Sequence, residues 1–282
     1  MNTPKRHHFV PQMLLRRFCD QTGRLWYYNK KAPHIGVASG APQALFFEKH
    51  FYTVEENGVR DTSLETYFSQ LEGQANSVIE KMCSAARAGR QPRLSIPEKK
   101  VWDLFLYYQW KRTPDSISSK MSYADFEESL AESVTKFEQR FRPLTDEERR
   151  RILSETFKKR IRENARVKAT GDPGTVIQDV LGSMGIAIAV VCKPNKSFVI
   201  GSKTVVKLTS PGETRLGEAG VEVWLPIAHD IAVCAIPQRG RELVMTLADD
   251  RLLRSLNAAI YRESTVIAGR SEALIQSLVC AR

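Results

Sequence analysis

The segment that most constrains this chain is His7-His8-Phe9-Val10-Pro11-Gln12-Met13-Leu14-Leu15-Arg16-Arg17-Phe18. Residues near a terminus are ordinarily the least ordered part of a domain. A solvated arm has no use for Phe9, Val10, Met13, Leu14, Leu15 and Phe18, because large apolar side chains stabilise a fold only where they leave water. The segment is therefore expected to dock into the body of the protein and to carry the histidines in beside it. Neighbouring residues point apart on a helix or a strand, so only one of His7 and His8 is expected to enter a shared site.

With 282 residues the chain can bury a sizeable core, as one large domain or two lobes. No apolar run is long enough to span a bilayer. The longest, residues 185–192, suits a buried strand. The opening Met-Asn-Thr-Pro-Lys-Arg has no apolar signal-peptide core, so a cytoplasmic location without membrane contact is expected. The 5 cysteines are scattered, with no Cys-x-x-Cys pair, which argues for reduced, mostly buried thiols and against a zinc knuckle. The net charge is +10, and residues 140–168 hold much of the excess, with eleven Lys/Arg against five Asp/Glu. Such a balance permits contact with nucleic acid.

Along the chain, Arg24–Tyr28 and His50–Val54 read as strands. Leu64, Phe68, Leu71, Ala75, Val78, Ile79, Met82 and Ala86 keep the three-and-four spacing of a buried stripe on a helix from Ser63 to about Ala88. Ser95 and Pro97 open a second helix, which should end at Thr113-Pro114. A third is expected over residues 122–139, with Phe126, Leu130, Val134 and Phe137 inside. Thr145-Asp-Glu-Glu148 is a capping-box signature and leads into a basic helix. After a boundary at residues 169–174, and a short helix over 174–183, the pattern changes to β-branched strands at 186–192, 198–200, 205–208, 221–225 and 231–236. A helix over 249–261, a strand over 264–267 and a helix from Ser271 complete the chain. The expected fold class is α+β: residues 1–170 form a mainly helical lobe, and residues 171–282 form an α+β lobe on a mainly antiparallel sheet.

Three polar residues interrupt apolar helix faces. Glu72 lies four residues after Phe68 and seven before Ile79. Gln109 lies four after Phe105 and seven after Trp102, and Arg112 continues that line. A buried carboxylate needs a cation or donors. Arg112, His7 and His8 are candidates for Glu72, and Gln109 can bridge them because it both donates and accepts. One reading is a structural polar network. The other is an active site, with His7 or His8 as general base, Glu72 as orienting group or metal ligand, and Arg112 as an anion clamp. His34, His50 and His229 fall in loops or at strand ends and read as structural. Phosphate loops, Gly-x-Ser-x-Gly elbows and His-Glu-x-x-His helices are absent. Arg149, Arg150, Arg151, Lys158, Lys159 and Arg162 crowd the polar face of the basic helix and are candidate nucleic-acid contacts.

The motifs His7-His8-Phe9-Val10-Pro11-Gln12, Leu25-Trp26-Tyr27-Tyr28, Phe51-Tyr52, Leu71-Glu72 and Gln109-x-x-Arg112-Thr113-Pro114 resemble the bacterial domain-of-unknown-function family numbered four-two-three-eight. The resemblance continues through Phe198-Val-Ile-Gly-Ser202, Trp224-Leu-Pro-Ile227 and Leu256-Asn257. It places His8, Glu72, Gln109 and Arg112 in family motifs and carries no settled activity. Ser202-Lys203 stands where the family usually has Ser-Asp. A weaker analogy links the His-His-x-x-Pro opening to nuclease toxins of the His-Asn-His type, in which a histidine activates water. The resulting expectation is an enzyme acting on phosphodiesters of nucleic acid in a bacterial defence or mobile-element setting. A divalent metal would suit such a site, although no motif specifies one. The competing expectation is a non-enzymatic module that binds nucleic acid or a partner, with the polar cluster structural.

Overall fold

The computed structural model describes residues 6–56, 58–118 and 123–280. The first quarter of the chain holds the short elements β1 (Arg6–His8), α1 (Gln12–Leu15), β2 (Leu25–Asn29), β3 (Ala38–Gly40), β4 (Phe47–Lys49), β5 (Val54–Glu56) and β6 (Val59–Asp61). Helices follow: α2 (Ser63–Arg87), α3 (Ile96–Lys111), α4 (Pro114–Ser118), α5 (Tyr123–Arg140), α6 (Asp146–Leu153), α7 (Glu155–Gly171) and α8 (Thr175–Gly182). The remainder is β7 (Gly185–Val190), β8 (Ile200–Gly201), β9 (Val206–Thr209), β10 (Val221–Ala228), β11 (Ile231–Ile236), β12 (Glu242–Thr246), α9 (Arg251–Glu263), β13 (Val266–Gly269) and α10 (Glu272–Cys280). The class is α+β, as expected. Among the described residues no helix is long and apolar enough to cross a membrane.

The opening segment docks. Val10, Leu14, Leu15 and Phe18 are completely buried. β1 adds to β4 as an antiparallel pair, with His7 opposite Glu48 and His8 opposite Phe47. The amphipathic stripe of α2 packs on α3, and Phe68, Ala75, Ile79 and Met82 meet the same continuous core as Trp102, Phe105 and Leu106. Ser95 and Glu98 close a reciprocal capping box at the start of α3, and Thr145 and Glu148 do the same for α6.

Two larger sheets complete the architecture. One runs β12-β7-β11-β10-β9, and its central strands β7 and β11 are buried on both faces. The other runs β3-β2-β13-β8 and is built from both ends of the chain. Strand pairing therefore crosses the boundary at residue 170.

Local departures from the sequence expectations have physical causes. Residues 50–53 form a turn, with His50 at φ 55°, and the flanking short strands are β4 and β5. β12 had no expected counterpart: it pairs parallel to β7 at a sheet edge, half solvated, so its apolar run is short. The single basic helix is two helices, because Ser154 adopts an extended conformation (φ −66°, ψ 139°) and caps α7 through the Phe157 N–H. Of the four apolar residues expected inside α5, only Phe126 is buried, and Phe137 is 38% exposed. The expected start of that helix, residue 122, lies outside the described residues.

Candidate functional site

Strand alternation in β1 sends the two histidines to different places. His7 is fully buried. Its Nδ1 accepts the Tyr52 backbone N–H at 3.0 Å, and its ring stacks on Tyr52 with centroids 5.8 Å apart. Glu65 Oε2 approaches the same Nδ1 to 3.7 Å. Because that lone pair already accepts an amide proton, the contact places a carboxyl beside a neutral imidazole and is not an ion pair.

His8 points the other way, into a cleft of about 430 Å³. One wall is the face of α2 that carries Glu65, Ser69, Glu72 and Asn76, at the three- and four-residue intervals that align side chains. Arg6, Gln12 and Met13 supply the opposite rim. Gln12 Nε2 lies 3.5 Å from His8 Nδ1, and His8 Nε2 is enclosed without a hydrogen-bond partner. Burial lowers the pKa of His8 below the ordinary imidazole value. The Gln43 backbone partly opposes this, and the charge of Arg6 adds to it. His8 therefore enters the cleft as a neutral base.

Behind the cleft wall stands Arg112, 1% exposed. Its Nη2 donates to Glu72 Oε1 at 2.7 Å. The Gln109 amide, with its oxygen turned to the guanidinium, accepts from Nε at 3.0 Å and from Nη2 at 2.7 Å. The Phe68 ring covers the guanidinium at 4.7 Å, and Tyr52 Oη donates to the Arg112 carbonyl at 3.4 Å. Arg112 does not line the cleft: it neutralises Glu72 from the protein side. Among the described residues, no lysine or arginine pairs with Glu65 within 4.0 Å. Burial raises its pKa to about 7, the charge of Glu72 adds to the rise, and Arg112 opposes it.

Four of the five residues proposed from sequence for the central site thus divide into a cleft pair, His8 and Glu72, and a buried support, Gln109 and Arg112. His7 anchors β1 to the Tyr52 turn. Sequence reasoning missed Glu65, although it lies seven residues before Glu72 and hence on the same helix face. Among the described residues, no three His, Cys, Asp or Glu side chains are gathered as a metal ion would require. The donor set does not fit a metal centre.

Two residues of the basic segment pair with carboxylates, chiefly on the neighbouring helix α5. Arg149 pairs with Glu138 at 2.6 Å, and Lys158 with Glu127 at 2.5 Å and Glu155 at 3.4 Å. Arg162 lies over the Phe126 ring at 5.6 Å. Arg150 bonds the Asp146 carbonyl at 3.2 Å, and Arg150, Arg151 and Lys159 are exposed.

These features define an α+β protein in which an N-terminal histidine strand closes a carboxylate-walled cleft. The chain belongs to the family described as protein of unknown function, DUF4238, whose model matches residues 6–264, from β1 to the end of α9. No curated protein and no solved structure matches it.

Proposed function

We propose that the cleft under β1 is a cytoplasmic hydrolase site that cleaves phosphodiesters of nucleic acid by general acid–base catalysis. The observation that carries this reading is the opposed titration of two groups on its walls. Burial holds His8 below the ordinary imidazole value, while Glu65 keeps its proton to about pH 7. Pairs of groups whose environments push their pKa values apart are the signature of an acid and a base in one site. His8 takes the proton of the attacking hydroxyl, and Glu65 delivers its proton to the leaving oxygen. Arg6 at the rim faces the phosphoryl oxygens. The charge of Glu72, which Arg112 contacts from behind, adds to the raised pKa of Glu65.

The test is incubation of single- and double-stranded RNA and DNA with the purified chain and with its His8→Ala and Glu65→Gln variants. Cleavage should fall by about 10²- to 10⁴-fold in either variant, and its rate should decline above pH 7 as Glu65 loses its proton. Folded variants that cleave as well as wild type, or a wild type inert on all four substrates, would overturn the reading. A second reading, a nucleic-acid-binding module, is favoured by the exposed Arg150, Arg151 and Lys159. It predicts salt-dependent binding, lost on charge reversal at Arg150 and Arg151, with no cleavage.

A further inference from the structure

A second groove lies away from the histidine cleft, where the β5–β6 hairpin, the first turns of α2 and the end of α7 meet. It encloses about 960 Å³, within the size range of small-molecule sites. Val54, Leu64 and Val167 form an apolar lining. Two tyrosines face it: Tyr108 is buried, and Tyr67 is 37% exposed with its ring edge-to-face to Tyr108 at 5.6 Å. Tyr108 Oη is engaged by the Gly171 carbonyl at 3.4 Å. A large, partly exposed aromatic ring beside apolar walls is surface that a ligand can cover with gain.

The charges on the rim decide which ligand. Lys168 is tied to Glu56 at 2.8 Å, so that pair contributes no net charge. Asp61 accepts the Ser63 backbone N–H at 2.8 Å, and no basic side chain among the described residues pairs with it. Those neutral donors, with little opposition from burial, hold Asp61 below the usual carboxylate range, so it is ionised at neutral pH. Among the described residues, the groove therefore presents the Asp61 charge without a basic partner, in the same lining as the partly exposed Tyr67 ring. A tyrosine face and a carboxylate together favour a cation that carries its own apolar body.

We propose that this groove binds a small organic cation with a flat apolar body, such as an aromatic quaternary ammonium compound. The ring covers Tyr67 and Val59, and the positive centre sits near Asp61. The inference is independent of the hydrolase reading, since none of these residues lines the histidine cleft.

The test is a fluorescence titration of the full chain at low salt with thioflavin T, a cationic planar dye, against the anionic dye 1-anilinonaphthalene-8-sulfonate. Saturable binding of thioflavin T at one site per chain is expected, weakened about three- to tenfold by Asp61→Asn and by Tyr67→Leu. Val59 is 70% exposed, so Val59→Lys adds a positive charge to the rim without touching the core and should weaken binding at least as much. Circular dichroism checks that each variant is folded. Failure of the cationic dye to saturate, tighter binding of the anionic dye, or indifference to both Asp61→Asn and Val59→Lys would overturn the proposal.

Discussion

Glu65 sits where one carboxyl meets conflicting demands. It lines the cleft wall, yet burial and the neighbouring charge of Glu72 favour its protonated form. In the unfolded chain it ionises near 4.5, whereas in the native protein it holds its proton to about 7. The native state therefore binds the extra proton between those values, and stability falls as pH rises from about 4.5 to about 7, then stays at the lower level. A shift of this size corresponds to at most roughly 3 kcal/mol. The side chain is 21% exposed to the cleft, and screening there reduces the effect to about 2 kcal/mol. Glu65→Gln should accordingly raise stability by up to about 2 kcal/mol at pH 8 and change it little at pH 4.5, as read from urea midpoints at both values. Equal shifts at the two pH values would show that Glu65 ionises normally in the native protein. On the proposed hydrolase reading, the gain at pH 8 accompanies a loss of cleavage, an exchange between stability and a poised active group. Glu72 and Arg112 were visible in the sequence because a charged residue on an apolar stripe stands out. Glu65 shares the helix face of Glu72, but that spacing alone does not separate it from a solvated glutamate in the first turn of α2. Its role emerges only when β1 folds over α2.

At the scale of elements, the periodicity of α2 read correctly, whereas the stripe expected inside α5 and the irregular backbone did not. The stripe of α2 from Phe68 onward and the capping box of α6 are local properties of sequence, and both are present in the structure. β12 and the turn at residues 50–53 depend on partners far along the chain, and the break at Ser154 replaces one helix by two. The connection between α7 and α8 shows how tightly such a link can be specified. Gly174 has φ +56°, and a Cβ there would lie 2.0 Å from Tyr107 Oη. Tyr107 is buried, stacks edge-on against Tyr108 and donates to the Asp172 carbonyl at 3.1 Å, so it has little room to retreat. Gly174→Ala should therefore combine the penalty of a left-handed alanine with displacement of a packed ring and destabilise by about 2–3 kcal/mol in denaturant unfolding. A loss below about 0.5 kcal/mol would mean that this turn rearranges freely.

The two ends of the molecule are bound more closely than the change of pattern near residue 170 suggests. β13 pairs antiparallel with β2, setting Ile267 opposite Tyr28 and Ala268 opposite Tyr27, and α10 packs on the same strand. Polar contacts reinforce the seam. Arg87 of α2 grips Asp230 with two bonds of 2.8 and 2.9 Å. The Glu242 carboxylate accepts the Arg93 and Leu94 N–H groups at 2.6 and 2.7 Å, and Asp115 accepts the Thr265 N–H at 2.8 Å as well as the Ser202 hydroxyl. Cutting the chain at Asp172-Pro173 would expose a sheet edge and an apolar face on both sides, and would leave Asp115, Asp230 and Glu242 without their partners. Buried apolar area, not secondary-structure content, governs whether a fragment folds. Residues 1–172 and 173–282 expressed separately should therefore lack a cooperative thermal transition, and mixing them should restore one, with β2 and β13 again protected from hydrogen exchange. A cooperative melt of residues 173–282 alone would identify two self-sufficient lobes. The histidine cleft, built wholly from residues 6–76, would then rest on the first lobe without help from the second.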